Sequence, residues 1–131
     1  MSYTDDPTIS DSEELWRRVP RYHFVIDENL GAMRPSSAAF SDSPDGSPMS
    51  VCIASICETP SVALGSYAAD GYALAGFLAG LARQLGQGIQ RDPLQKQPSH
   101  ALVFGSKPRK VKKELARSAR WVISPGSSSI G

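Results

Sequence analysis

The order of apolar and polar positions predicts several short β-strands. Residues 15–19 and 22–26 are β-like runs, and residues 49–56 (MSVCIASI) alternate between two faces. Residues 37–40 are expected to continue as a strand after a turn at residues 27–31. Further strands are predicted at residues 88–91, 100–104 and 121–123.

Two segments have the apolar spacing of a helix. Positions four and three residues apart form one stripe over residues 68–85, and the glycines at 86 and 88 follow it. A second helix is predicted from Pro108 to about Arg120, because a proline is tolerated in the first turn. The stripe of the first helix consists of Tyr67, Gly71, Leu74, Leu78, Leu81 and Leu85.

Together these elements predict a small α+β domain. The order ββββ-α-ββ-α-β is typical of a mostly antiparallel sheet with two main helices packed on it. The chain has 131 residues, of which 40% are hydrophobic, which suits a single domain at residues 15–123. Residues 1–14 are acidic without an apolar pattern, and residues 124–131 are small and polar, so both are predicted to be flexible tails.

The net charge of +1 conceals an asymmetry between the two halves of the chain. Residues 1–60 contain ten acidic and four basic side chains, a net −6, whereas residues 61–131 contain three and ten, a net +7. Two explanations are open. The halves attract each other within the fold, or the basic half attracts an anionic partner.

The cysteines and the longest uncharged stretch of the chain indicate the cellular compartment in which the protein is expected. Cys52 and Cys57 have a C-x4-C spacing without a second pair, which is not that of a zinc site, so we expect reduced core thiols. Residues 71–82 form an uncharged stretch of 12 residues, whereas a bilayer needs about 20. The N-terminus lacks the pattern of a signal peptide. We therefore predict a cytoplasmic protein with no membrane partner.

The segment RPSSAAF, residues 34–40, is the main candidate for a binding site. Its arginine follows two acidic residues and precedes two serines. A guanidinium binds a carboxylate or phosphate through two parallel hydrogen bonds, and hydroxyls can complete such a site. The alternative is an internal ion pair, with the serines in local turn bonds. The residues that we expect to bind a partner or ligand are Asp27, Glu28, Arg34, Ser36, Ser37 and His100.

Catalytic and metal sites have little support in the sequence. A Ser–His–Asp set drawn from Ser37, His100 and Asp27 lacks the G-x-S-x-G motif. The two histidines, His23 and His100, do not have the spacing of metal ligands. We therefore predict no metal and no cofactor, and the catalytic residues stay unassigned.

The second predicted helix has a basic face opposite its apolar side, formed by Arg109, Lys113, Arg117 and Arg120. One interpretation is binding to a phosphate backbone through residues 107–120. Aromatic residues for stacking on bases are not interleaved with these charges, which favours a solvated face or a protein contact.

Four stretches carry a resemblance to a family: LWRRVPRYHFVIDENLGAMRPSSAAF, DGSPMSV, DPLQKQPSHALVFG and ELARSARWVISP. Over about residues 15–125 the chain resembles a family of short uncharacterised bacterial proteins with an RRIPP…PDEN…RPSSAAF start and a late AHAxVxG strand. It departs from that pattern at Pro20-Arg21, where the family has two prolines, and at Ser99, where it has alanine. The resemblance implies a bacterial, cytosolic, single-domain protein and transfers no activity.

A second likeness is to ADP-ribosyltransferase-like and RES-domain toxins. These proteins place an arginine on the first strand and a Ser-x-Ser-type element on a later strand, around NAD. Arg17 or Arg18 and the Ser36-Ser37 pair would take those roles here, and Gln90 would stand in for a late acidic residue. This likeness implies a small enzyme that acts on NAD.

The leading hypothesis from the sequence is a non-enzymatic accessory or interaction module of a bacterial multi-protein system. Its polar loop would capture a protein partner or a ligand. The alternatives are the NAD enzyme and a nucleic-acid-binding protein that uses the basic helix.

Overall fold

An antiparallel sheet is the centre of the structure, a computed structural model that describes residues 2–125. Its strands are β1 (Glu14–Val19), β2 (Phe24–Asp27), β3 (Ala32–Pro35), β4 (Met49–Ile53), β5 (Ala73–Leu78), β6 (Gly88–Arg91), β7 (His100–Phe104) and β8 (Arg120–Ile123). Six of them form one sheet in the order β6-β7-β4-β1-β5-β8, in which each ladder is antiparallel. The strands β2 and β3 form a separate hairpin.

Short helices connect and cover the strands. The α-helices of the described residues are α1 (Ala54–Cys57), α2 (Pro60–Leu64), α3 (Ala79–Gln84) and α4 (Arg109–Ser118), and the 3-10 helices are Arg21–His23, Ser37–Phe40 and Gly65–Asp70. The fold class is therefore α+β with a mostly antiparallel sheet, as the sequence predicts. No helix within residues 2–125 is long and apolar enough to cross a membrane.

Each face of the sheet buries its own core, because side chains alternate between the faces along a strand. The main core lies under α4, which contributes Val111 and Leu115. The second core is smaller and lies under α2 and the 3-10 helix Gly65–Asp70. Its buried members are Trp16, Cys52, Ala63, Leu64 and Leu74.

The helix predicted over residues 68–85 is wrong. That segment contains the end of the 3-10 helix Gly65–Asp70, the strand β5 and the short helix α3. Residues 73–77 are buried because β5 lies between β1 and β8 and is covered on both faces. A strand buried on both faces has a continuous apolar run, and periodicity alone does not distinguish such a run from a buried helix.

Two smaller predictions also need correction. Residues 37–40 form a 3-10 helix rather than a strand, because the Oγ of Ser36 accepts a hydrogen bond from the N–H of Ala38 and so caps a helical turn. The strand predicted over residues 49–56 ends at Ile53, where α1 begins. The predicted turn at 27–31 and the strands at 88–91 and 100–104 are confirmed.

The N-terminal segment is not an unpacked tail. Ile9 is only 2% exposed and belongs to the main core. The N–H of Asp6 donates to the carbonyl oxygen of Ile89 at 2.8 Å, so the segment runs along the outer edge of β6. The second predicted tail, residues 124–131, falls mostly outside the described residues.

The charge asymmetry of the sequence is matched by ion pairs between the two halves of the chain. Acidic side chains from the first half pair with basic side chains from the second half. Attraction within the fold therefore accounts for part of the asymmetry. These pairs are Arg83 with Asp5 and Asp11, Arg91 with Asp6, Lys107 with Asp42, and Arg120 with Glu14.

Candidate functional site

The sheet opens between β1 and β4. The ladder between these strands has two residue pairs and ends where Trp16 faces Cys52, whereas the ladder between β1 and β5 has six pairs. Beyond Trp16 the two strands are bridged by a side chain, because Nη1 of Arg17 donates to the carbonyl oxygen of Ser50 at 2.8 Å. The opening places the second half of β1 beside a cleft.

Arg17 is a half-buried cation that is held by backbone carbonyls. Its Nε donates to the carbonyl oxygen of Ala39 at 2.9 Å, and its Nη2 donates to that of Ser41 at 3.4 Å. No carboxylate of residues 2–125 forms an ion pair with it. Burial, and then the charge of Arg18, lower the pKa of Arg17 to about 10. The guanidinium remains charged at neutral pH, and the charge of Asp42 partly offsets the lowering of its pKa without forming an ion pair.

Arg18 points to the opposite face of the sheet. Its Nη2 donates to Oε1 of Gln97 at 3.2 Å, and its guanidinium carbon lies 4.4 Å from the centre of the Tyr67 ring. That distance is typical of a cation–π contact. Among the described residues Arg18 has no acidic partner either, so two adjacent guanidinium groups border the same opening.

The opening contains a cleft of about 650 Å³. This volume is within the usual range for a small-molecule site, about 300–1,000 Å³. Both histidines of the chain line the cleft, together with the two arginines of β1. The charged and aromatic lining includes Arg17, Arg18, His23, Tyr67, Tyr72 and His100.

His23 presents an unsatisfied polar atom in this cleft. Its Nδ1 is buried and has no hydrogen-bond partner within the described residues. Burial, and then the charge of Arg17, lower the pKa of His23 below its ordinary value of 6.5. Buried polar atoms are nearly always hydrogen-bonded, so this unpaired nitrogen, which is shielded from solvent, adds a cost to the folded state.

A second histidine lies on the other side of the opening. Nδ1 of His100 is 3.0 Å from Oδ2 of Asp92 and 3.1 Å from the carbonyl oxygen of Asp92. On the adjacent strand Cys52 faces His100 in the β4–β7 ladder. The Sγ of Cys52 accepts a hydrogen bond from Nε2 of Gln97 at 2.7 Å.

The predicted binding residues of the RPSSAAF region lie outside this cleft. Nε of Arg34 is 3.2 Å from Oδ2 of Asp27, so the internal ion pair that we considered is present. Ser36 caps the helical turn that Ser37 begins, and Glu28 is exposed in the hairpin turn. His100 is separated from these residues because it lies on β7 and lines the cleft.

The β2–β3 hairpin instead presents apolar side chains to solvent. Ile26 and Met33 face each other across the hairpin and are 71% and 44% exposed. Leu30, in the connecting turn, is 73% exposed. The hairpin is anchored at its base, where Phe24 packs edge-on against Trp121 at 5.8 Å between ring centres.

The predicted basic face needs one correction. Arg109, Lys113 and Arg117 are exposed on α4, and Arg117 pairs with Glu114. Arg120 does not belong to this helix, because it begins β8 and its Nε lies 2.7 Å from Oε2 of Glu14. Pairing across the sheet thus removes one of the four expected charges from the face.

Lys107 also does not fit the interpretation of residues 107–120 as a nucleic-acid-binding surface. Its side chain is only 4% exposed, and its Nζ lies 2.6 Å from Oδ1 of Asp42. The exposed basic side chains of this region therefore lie on α4 and at Arg120, which Glu14 neutralises.

The sequence contained a signal for part of the cleft. The likeness to NAD-dependent toxins selected Arg17 or Arg18 as an anion-binding residue, and His100 was among the expected binding residues. The sequence contained no signal for Tyr67 or Gln97, because their contacts with Arg18 form only in the folded structure. Comparison of the chain with family models, curated proteins and solved structures gave no match.

Proposed function

We propose that this protein is a binding module that captures a small anionic ligand, bearing a phosphate or carboxylate group, in the cleft between β1 and β4. The observation that carries the proposal is the half-buried guanidinium of Arg17, which has carbonyl partners but forms no ion pair with a carboxylate of the described residues. A charge removed from water is costly unless it is compensated.

The surroundings of the cleft favour an anion. Asp42 lines the cleft, but Lys107 neutralises it, and the carboxylate of Asp92 is directed to His100. The cationic groups of Arg17 and Arg18 therefore lack equivalent acidic partners within residues 2–125. An anion in the cleft that both arginines line would supply the opposite charge in a partly desolvated region, where electrostatic attraction is stronger than in water.

This proposal keeps the ligand-capture hypothesis from the sequence and moves its site. Arg34 is poorly suited to an external anion because Asp27 already neutralises it. Arg18 has a guanidinium that is held by neutral groups, the amide of Gln97 and the ring of Tyr67. It can bind an incoming phosphate or carboxylate without first breaking an ion pair.

The test is ligand-induced thermal stabilisation, measured with sodium pyrophosphate, phosphate and acetate against sodium chloride at the same ionic strength. Arg18→Gln should abolish the stabilisation, whereas Arg109→Gln, on the exposed face of α4, should retain it. Comparison of phosphate with acetate distinguishes the two ligand chemistries. Equal stabilisation in both variants would show that the anions act on overall charge and would refute the site.

A second candidate function is capture of a protein partner by the β2–β3 hairpin, because Ile26, Leu30 and Met33 form an exposed apolar surface there. The Arg34–Asp27 ion pair lies on the same hairpin, where it is the internal pair that the sequence analysis gave as the alternative to a binding loop. This candidate requires a partner that packs apolar side chains against the hairpin.

Affinity purification from the source organism would test this candidate, with Ile26→Asp compared with Val62→Asp. Val62 is similarly exposed, at 68%, but lies on α2. A stoichiometric protein that is retained by Val62→Asp and lost from Ile26→Asp would support the hairpin. Retention by both variants would exclude it.

A further inference from the structure

We propose that Cys52 is a thiol nucleophile, that His100 accepts its proton and that Asp92 positions His100. The three side chains follow one row across neighbouring strands of the sheet. This inference does not rest on anion capture, because the reactivity of a thiol can be measured without a ligand.

The register of the sheet brings the first two residues together. The N–H of Ile53 donates to the carbonyl oxygen of Ser99 at 2.8 Å, which makes the next pair, Cys52 and His100, a non-hydrogen-bonded pair. In such pairs the Cα atoms are about 4.5 Å apart and the side chains lie side by side on one face. Both residues also line the cleft.

Asp92 fixes the orientation of the imidazole. It lies on the β6 side of His100, where its N–H donates to the carbonyl oxygen of His100 at 2.9 Å, whereas Cys52 lies on the β4 side. Two oxygens of Asp92 hold Nδ1 of the ring, at 3.0 and 3.1 Å. Nε2 is therefore directed away from Asp92, as a general base requires.

The sulfur atom has a donor aimed at it. Nε2 of Gln97 lies 2.7 Å from Sγ, and the carbonyl oxygen of the same amide accepts from Arg18 at 3.2 Å. The amide of Gln97 therefore fixes the position of the sulfur atom beside Arg18. Cys52 is 2% exposed, so a reagent reaches it through the cleft rather than across an open surface.

The substrate class that suits this arrangement is an activated acyl compound, an ester or thioester. The thiol of Cys52 gives its proton to Nε2 of His100, and Sγ forms a bond to the carbonyl carbon. The bond to the leaving group breaks, and the leaving group takes the proton from His100. Water then hydrolyses the acyl-enzyme, which releases the acid and restores the thiol.

Alkylation by iodoacetamide tests the nucleophile, and the second cysteine serves as an internal control. Burial raises the pKa of the Cys57 thiol, so Cys57 should react slowly near neutral pH. Peptide mass spectrometry should show Cys52 alkylated at least about tenfold faster than Cys57 at pH 6.5. If Cys52 reacts no faster than Cys57 in the native protein but at the same rate in urea, it is an inert core thiol and the inference is wrong.

The role of His100 has its own readout. His100→Gln should reduce the alkylation rate of Cys52 at pH 6.5 by about tenfold or more and move its rate profile to higher pH, while Cys57 is unchanged. Circular dichroism would establish that the variant is folded. An unchanged profile for Cys52 would remove His100 from the mechanism.

The acyl step is tested with p-nitrophenyl acetate. Acid-quenched samples should contain an acetyl group on the peptide of Cys52, and Cys52→Ser should not release nitrophenolate above the buffer rate. Rapid alkylation without acetylation would overturn the acyl chemistry. Loss of anion-induced stabilisation in Arg18→Gln is scored separately, so failure of one proposal is distinguishable from failure of the other.

Discussion

The Nε of Arg17 lies 2.9 Å from the carbonyl oxygen of Ala39, so the first strand of the sheet directly holds the RPSSAAF segment. The same side chain reaches the carbonyl oxygens of Ser41 and Ser50. One half-buried guanidinium therefore connects β1, the segment before β4 and β4 itself. Ala39 and Phe40 pack in the core, whereas Ala38 is exposed, and the backbone around them binds the arginine.

Replacement of Arg17 by methionine should destabilise the protein by about 2–3 kcal/mol, because three carbonyl oxygens lose a charged donor at a half-buried position. Urea unfolding of Arg17→Met measures this. Arg18→Met is the matched control, and it should cost less because Arg18 donates one side-chain bond to a partly exposed amide. Equal unfolding midpoints for the two variants would contradict the structural role of Arg17.

Replacement of Ile9 by alanine should cost about 2–4 kcal/mol, because its side chain is part of the main core. The exposed Ile26 provides the control, for which Ile26→Ala should change stability by less than about 0.5 kcal/mol. Urea unfolding of both variants measures these effects. If the N-terminal segment were a flexible tail, Ile9→Ala would change the stability as little as Ile26→Ala does.

Alanine at position 76 should destabilise the protein. An added Cβ would lie 2.6 Å from Oε2 of Glu14 and 3.0 Å from Cγ2 of Val122. The carboxylate of Glu14 is held by Nε1 of Trp16 and by Arg120, so it cannot move aside without loss of these bonds, and such crowding costs about 1–3 kcal/mol. If residues 68–85 formed a helix, Gly76→Ala would instead stabilise the protein, because alanine is favoured over glycine in a helix by about 1 kcal/mol. The thermal midpoint of Gly76→Ala therefore separates strand from helix.

The stability of the protein should depend on the ionisation of His23. Burial and the nearby Arg17 lower the pKa of His23 in the folded protein below its ordinary value of 6.5. At pH values between the folded-state pKa and 6.5, the folded protein therefore binds fewer protons than the unfolded chain. This contribution is present above pH 6.5 and is lost as the pH falls through the pKa of the folded state. In phosphate-free buffer, the wild type should lose more thermal stability than His23→Gln from pH 7.5 to 5. Parallel profiles would refute the desolvated environment of His23.

Local sequence determined the elements that depend on neighbouring residues. The turn at 27–31 follows from an aspartate that accepts hydrogen bonds from the next backbone N–H groups, and α4 follows from a polar segment with one apolar stripe. The fold class, the strands at 88–91 and 100–104 and the closing strand β8 were likewise predictable. Each is a short apolar run bounded by turn residues.

Tertiary structure alone decided what the long apolar run over residues 68–85 becomes and where the cleft lies. The strand β5 is buried on both faces by neighbours that are distant in sequence, so the spacing of its apolar residues does not distinguish it from a helix. Ile9 is a core residue only because the segment around it meets the edge of β6. Arg17, His23 and His100 come from separate elements and meet only because β1 and β4 part after Trp16, which no local pattern encodes.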